Sequence, residues 1–144
     1  MSDATGLIVL AGRIAFVILF GPVAGWGAHI VRSKMLEGYA QSVRFPIPAI
    51  AGWPTGTWLV VASISIAFGI WPDVGALMIA AFLIPAAAYF HRFWELEDET
   101  QKMMQQGFFF RNLIGVGACA IMFGTFVALG PQLRFTITPP LFAF

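Results

Sequence analysis

The chain has 144 residues, 59% hydrophobic and 10% charged, with a formal net charge of +1, and its mean hydropathy is +0.83. A soluble domain carries about 25% charged residues, and a chain this size could not cover so much apolar surface in water. The near-neutral balance excludes a nucleic-acid partner, and the composition predicts one small membrane domain. The single cysteine, Cys119, excludes an intramolecular disulfide and any CxxC redox pair. Met1-Ser2-Asp3-Ala4-Thr5 has no basic stretch, so the first apolar run is expected to stay in the finished protein.

That run, Leu7 to Ile30, is long enough to span a hydrocarbon core, which needs about 20 helical residues. Arg13 interrupts it early and has two readings. Its long stem can carry the charge to the near headgroups, or it can face the bundle interior beside an acceptor. Gly21-Pro22 and Gly25-Trp26-Gly27 follow, in keeping with kinks and close packing in membrane helices.

The connection from His29 to Trp53 carries Arg32, Lys34, Glu37, Gln41 and Arg44 on one side of a helical wheel. Met35, Leu36, Tyr39, Ala40 and Val43 recur on the other. This predicts a short amphipathic helix in the interface, with Tyr39 at headgroup depth, ended by Pro46 and Pro48. Two further spans, 55–70 and 74–90, are joined by a turn at Trp71-Pro72-Asp73, with Asp73 expected to cap the third. Ser63 and Ser65 can satisfy themselves on their own helix's carbonyls. Pro85 is expected to bend the third span.

The stretch Phe90 to Lys102 holds most of the acidic residues, Glu95, Glu97, Asp98 and Glu99, and reads as a solvated loop. The fourth span is 108–129, with Gly115, Gly117 and Gly124 expected to admit a neighbouring helix. Cys119 reads as a buried structural thiol. The tail 131–144 is too broken by proline to span and is expected to lie extended along the surface or a partner. The expected architecture is therefore an all-α, four-transmembrane-helix bundle, one domain over 1–144, with a short interfacial helix between helices 1 and 2.

Four spans place both termini on one face and the two longer connections on the other. The connections hold Arg32, Lys34, Arg44, Arg92, Lys102 and Arg111, against Arg13 and Arg134 on the terminal face. Cationic loops stay cytoplasmic, so the connections are expected inside. His29, His91, Trp94, Arg111 and Asn112 then gather at one membrane boundary. With Arg13 they form the candidate cofactor-binding polar residues. Both histidines can equally be polar caps of an interface. No HxxxH or ExxH spacing supports a metal. Arg92 or His91 can pair with Glu95, three or four residues on. No nucleotide loop, flavin fingerprint or paired thiols are present, so no catalytic residue is assigned. Any chemistry would come from a bound cofactor or another subunit.

These features resemble the DoxX family of small four-helix bacterial and archaeal membrane proteins, over about Gly12 to Gly130. The resemblance rests on Gly12-Arg13-Ile14, Tyr39 through Pro46-Ile47-Pro48, Gly69 and Phe90-His91-Arg92-Phe93-Trp94. It also rests on Lys102-Met103-Met104 leading to Phe109-Phe110-Arg111-Asn112-Leu113, similar to the family's Met-x-x-Phe-x-(Lys/Arg)-Asn-Leu approach to helix four. The matching motif positions are Arg13, His91, Trp94, Arg111 and Asn112.

The family is named for a subunit associated with terminal oxidase and thiosulfate:quinone oxidoreductase chemistry. Other members resemble anchors of thiol and superoxide detoxification assemblies. The resemblance implies a multi-pass protein of a bacterial or archaeal inner membrane. It would be an accessory or anchoring subunit of a redox assembly, with other subunits as partners and a quinone as its implied cofactor. The alternative it implies is a quinone-reactive oxidoreductase subunit working with a soluble partner. Where the family often carries a glutamate early in helix two, this chain has Thr57-Trp58-Leu59-Val60, so Arg13 is expected to lack that partner.

Overall fold

The computed structural model describes residues 1–142. Helix α1 (Asp3–Ile18) starts where Ser2 accepts from the Thr5 N–H at 3.2 Å. It continues without a break into a π-helical segment, Leu19–Ile30, with Pro22 inside it. Helix α2 (Ser33–Ser42) is the expected amphipathic helix. Helices α3 (Trp53–Phe68) and α4 (Pro72–Pro85) follow, and α4 runs past Pro85 into a second π segment, Ala86–Phe90. Helix α5 (Glu99–Leu129) is the longest. Among the described residues there is no strand.

Three helical stretches, Asp3–Ile30, Pro72–Glu95 and Glu99–Gln132, are long and apolar enough to cross a membrane, and α3 is a shorter apolar helix. The exterior agrees. Ile8, Ile114 and Ile121 are each more than 70% exposed, which suits lipid and not water. Helix α3 packs between α1 and α4, and α4 in turn packs on α5. The core runs through Val17, Phe20, Leu59, Ala62, Ile66, Ile79, Leu83 and the buried Cys119.

Small residues decide the closest approach. A Cβ on Gly56 would lie 2.7 Å from the Gly25 carbonyl oxygen and 3.0 Å from the His29 Cβ, so only glycine lets α3 meet the π segment there. On α5, Gly115 packs against the Leu83 side chain, with a Cβ there reaching 2.7 Å from one Leu83 methyl. Gly117 and Gly124 face nothing within 4 Å, contrary to the expectation that they admit a neighbour.

Helix α5 begins nine residues before the expected span. Asp98 caps it, accepting from the Gln101 N–H at 2.8 Å. Asp-x-x-Gln is a capping pattern, and the acidic stretch ends as a helix start instead of continuing as a loop. Asp73, expected to cap α4, has no such bond. Its Oδ2 accepts from the Phe142 N–H at 2.8 Å and its Oδ1 has no partner among the described residues. Ser65 donates forward to the carbonyls of Ile70 and Trp71, while the buried Ser63 hydroxyl has no partner among the described residues.

The tail lies along the surface at the end of the bundle, as expected, and is tied to it. Leu133 is buried, and the Ile137 and Thr138 N–H groups bond the Phe68 and Gly69 carbonyls left open at the end of α3. Thr138 Oγ1 accepts from the Trp71 N–H. The tail therefore supplies the caps that the α3–α4 turn lacks. The part of that expectation concerning Ala143 and Phe144 lies outside the described residues.

Candidate functional site

The bundle has two ends with different polar chemistry. At the end where α1 begins, Arg13 is 2% exposed. Its guanidinium donates to Ile66 O at 2.7 Å, Ala67 O at 2.8 Å and Phe135 O at 3.0 Å. A cation among the last carbonyls of α3 completes that helix's C-terminus. So Arg13 faces the interior, its acceptors are backbone carbonyls, and it needs no carboxylate. Thr57 and Trp58, where a family glutamate would stand, lie near the start of α3, while Arg13 meets its last residues. An acid there could not have reached it.

At the opposite end a cavity of about 470 Å³ opens between α2, α3 and α4, lined by His29, Tyr39, Phe45, Trp58, Phe90 and His91 among others. Residues of the two longer connections, Phe45, Ile50 and His91 among them, contribute to its lining. Arg92 ties them together, donating to Val43 O at 2.6 Å and to Glu95 at 3.0 Å, which settles the choice between His91 and Arg92 as the partner of Glu95. Tyr39 packs on Phe90, and Phe45 lies between Tyr89 and Phe90.

Both histidines are held by one ring nitrogen. His29 Nδ1 lies 2.6 Å from the Ala51 carbonyl oxygen and His91 Nδ1 lies 2.8 Å from Gln105 Oε1. An oxygen acceptor requires Nδ1 to carry the proton, so each neutral ring presents a lone pair at Nε2. Phe82 and Phe108 meet the two imidazoles edge-on. The other polar groups of the lining are spoken for. Trp58 Nε1 donates to Met78 O, Thr55 Oγ1 to Ile50 O and Tyr39 Oη to Phe90 O. What remains in an apolar hollow is a pair of Nε2 atoms without a described partner.

Of the six candidate residues, the structure brings His29 and His91 together in this cavity. Trp94 is more than half exposed and meets Phe93 and Phe109 edge-on outside it. Arg111 is exposed with its guanidinium 4.8 Å over the Phe108 ring. Asn112 is buried on α5 and does not line the cavity. Arg13 is sixteen residues from His29 along the same rod, on the order of 20 Å away. Gln105 and Trp58 were missed. The Asp98 capping pattern would have put Gln105 on a helix beneath His91. Among the described residues no group of three or more His, Cys, Asp or Glu side chains could hold a metal.

An all-helical chain with several apolar membrane-length helices is a multi-pass membrane protein associated with the lipid bilayer. The profile of the DoxX family matches residues 8–92, more than half of the chain, and the chain belongs to the DoxX family. Neither the curated proteins nor the solved structures compared with it gave a match.

Proposed function

We propose that this chain crosses the bilayer four times, with α3 and its flanks as the fourth crossing. It serves as an accessory or anchoring subunit of a membrane redox assembly, and the histidine cavity receives the headgroup of a quinone-type lipid. The observation that carries this reading is the pair of free Nε2 atoms in an apolar hollow at the edge of the membrane-length helices. A cavity of this size, with few polar groups fixed in orientation, suits a ring with oxygen at two positions. Neutral Nε2 accepts a hydrogen bond from a ring hydroxyl, and a protonated imidazole donates to a ring carbonyl, so both forms of such a ligand find a complement. Gln105 and Ala51 hold the rings so that Nε2 is the atom that exchanges a proton.

The connections, richer in lysine and arginine, face the cytoplasm of a bacterial or archaeal inner membrane in this reading, and the exposed Trp94 and α2 meet other subunits there. Cysteines placed at Met35 and Glu97 should label from the same side of sealed vesicles. Labelling from opposite sides breaks the four-span topology.

The ligand test uses protein in nanodiscs and a short-chain benzoquinone with its quinol, read by tryptophan fluorescence, since Trp58 lines the cavity. Saturable quenching weakened about tenfold in the His29→Phe/His91→Phe variant, from two lost hydrogen bonds of about 0.7 kcal/mol each, is expected. No saturable binding, or equal binding by that variant, sinks the reading. Redox turnover with a soluble flavin or iron–sulfur partner would move the assignment to a quinone-reactive subunit.

A further inference from the structure

Side chains are not the whole of the cavity's polar chemistry. Along α4 its lining includes Ala81, Phe82, Pro85 and Ala86. In a regular helix the Ala81 carbonyl accepts from the N–H four residues on. Here that residue is Pro85, which has no N–H and whose ring crowds the same oxygen. The next donor along, the Ala86 N–H, goes to the carbonyls of Phe82 and Leu83 instead. Among the described residues no side chain donates to the Ala81 oxygen. A helical carbonyl points towards the residue four further on, so this oxygen is on the side of Pro85, which lines the cavity. Ala81 is not sealed in, because it is exposed. Phe82, the next residue, meets the His29 ring edge-on at 5.6 Å, which puts the open carbonyl at the His29 end.

Ala81 lies nine residues before the end of the π segment, about 13 Å into the apolar rod. A main-chain oxygen without a donor at that depth is costly. It also differs in kind from the imidazoles. A histidine ring accepts when neutral and donates when protonated, and so suits either form of a ring oxygen. A carbonyl oxygen only accepts, at any pH. A hydroxyl completes it, whereas a second carbonyl oxygen set against it repels.

We propose that the Ala81 carbonyl is a third polar contact of the cavity, accepting from a hydroxyl of the ligand and making the site selective for the reduced, hydroxyl-bearing form of a quinone-type ring over the oxidised form. This rests on the quinone reading of the cavity and adds a preference that the two histidines do not supply. Pro85 is the positioning residue, since it keeps the acceptor open by having no N–H of its own. The preference is one of binding alone, and no electron or proton is transferred in it.

Full-length protein in phosphatidylcholine nanodiscs tests this with a short-chain benzoquinone and its quinol under anaerobic conditions. The quinone is followed by tryptophan quenching and the quinol by its competition with that quenching. The parent should bind the quinol about fivefold more tightly, the factor that one net hydrogen bond carries. Pro85→Ala gives the Ala81 carbonyl its helical donor back. It should leave the fold at least as stable, and yet bring the quinol down to the affinity of the quinone. Ala81→Gly keeps the carbonyl and should keep the preference. With alanine isotopically labelled at its carbonyl, the infrared difference spectrum should show one band moving to lower frequency with quinol and not with quinone. That band should be absent in Ala81→Gly and unmoved in Pro85→Ala. An equal change for both forms in Pro85→Ala makes the bend, and not the oxygen, the cause and overturns the proposal, as does an unshifted carbonyl in the parent. If neither form binds saturably, the quinone reading itself fails. If both bind and bind alike, only this inference does.

Discussion

The two ends of the bundle treat their buried polar groups in opposite ways. At the terminal end, Arg13 is surrounded by carbonyls that have no other donor, and the tail folds back to supply the rest. At the connection end, His29 and His91 are each held by one nitrogen and left open at the other. A buried group with its donors spent on the protein holds the fold. One with an unspent atom facing a cavity is available to something else. By that measure the arginine is structural and the histidines are the candidate site, although all three stand out equally in a list of charged and polar residues.

Substitutions should separate the ends. The largest effect is expected for Arg13→Met, which leaves the Ile66, Ala67 and Phe135 carbonyls without donors inside the membrane. With hydrogen bonds to a charged donor at about 1.5–3 kcal/mol each, the loss should exceed about 3 kcal/mol. Unfolding by sodium dodecyl sulfate, followed by circular dichroism, measures it. Arg13→Lys should recover only part, since one ammonium cannot span three carbonyls held by two elements. If Arg13→Met unfolds like the parent, the clasp is not structural.

Gly56→Leu comes next. It forces the π segment of α1 away from α3 beside His29, and the overpacking should cost about 1–3 kcal/mol. Because the same displacement disturbs the His29–Ala51 bond, this variant should also weaken ligand binding. Loss of stability with unchanged binding would show the cavity to be independent of that contact.

His29→Phe and His91→Phe should lower stability by about 1 kcal/mol or less each, for one lost hydrogen bond in each case, while each weakens ligand binding about threefold. A stability loss as large as that of Arg13→Met would overturn the division between the two ends.

The smallest effect concerns α2, at the edge of the cavity. Hydrogen bonds from Lys34 and Ser33 hold the Glu37 carboxyl below its ordinary pKa. A carboxylate whose folded pKa is depressed stabilises above its unfolded value, and that contribution is lost as pH falls through the folded pKa. A shallow decline in α2 amide protection on acidification below the ordinary glutamate range is expected, and should vanish in Glu37→Gln. A decline that persists in Glu37→Gln assigns it to other groups.

Much of this was legible in the residues. The apolar runs appear within a few positions, and the amphipathic α2 ends at its prolines. The meeting of His29 with His91 follows from the alternation of the helices. Other features were hidden because their causes are long-range. Helix α5 starts at Glu99 on a local signal, Asp98-x-x-Gln101, that the acidic run obscured. The role of the tail was not readable, since the Ile137 and Thr138 N–H groups find their partners on α3, almost seventy residues earlier. Gly117 and Gly124 looked like packing positions because glycine spacing cannot say which face of a helix is covered.

Hydrophobicity along the chain is a local property, so it was enough to establish a helical membrane protein and the order of its elements. Which polar atoms are spent and which are left over depends on distances between residues far apart in sequence. Only the folded arrangement could place Arg13 on the carbonyls of α3 and leave two imidazole Nε2 atoms in one cavity.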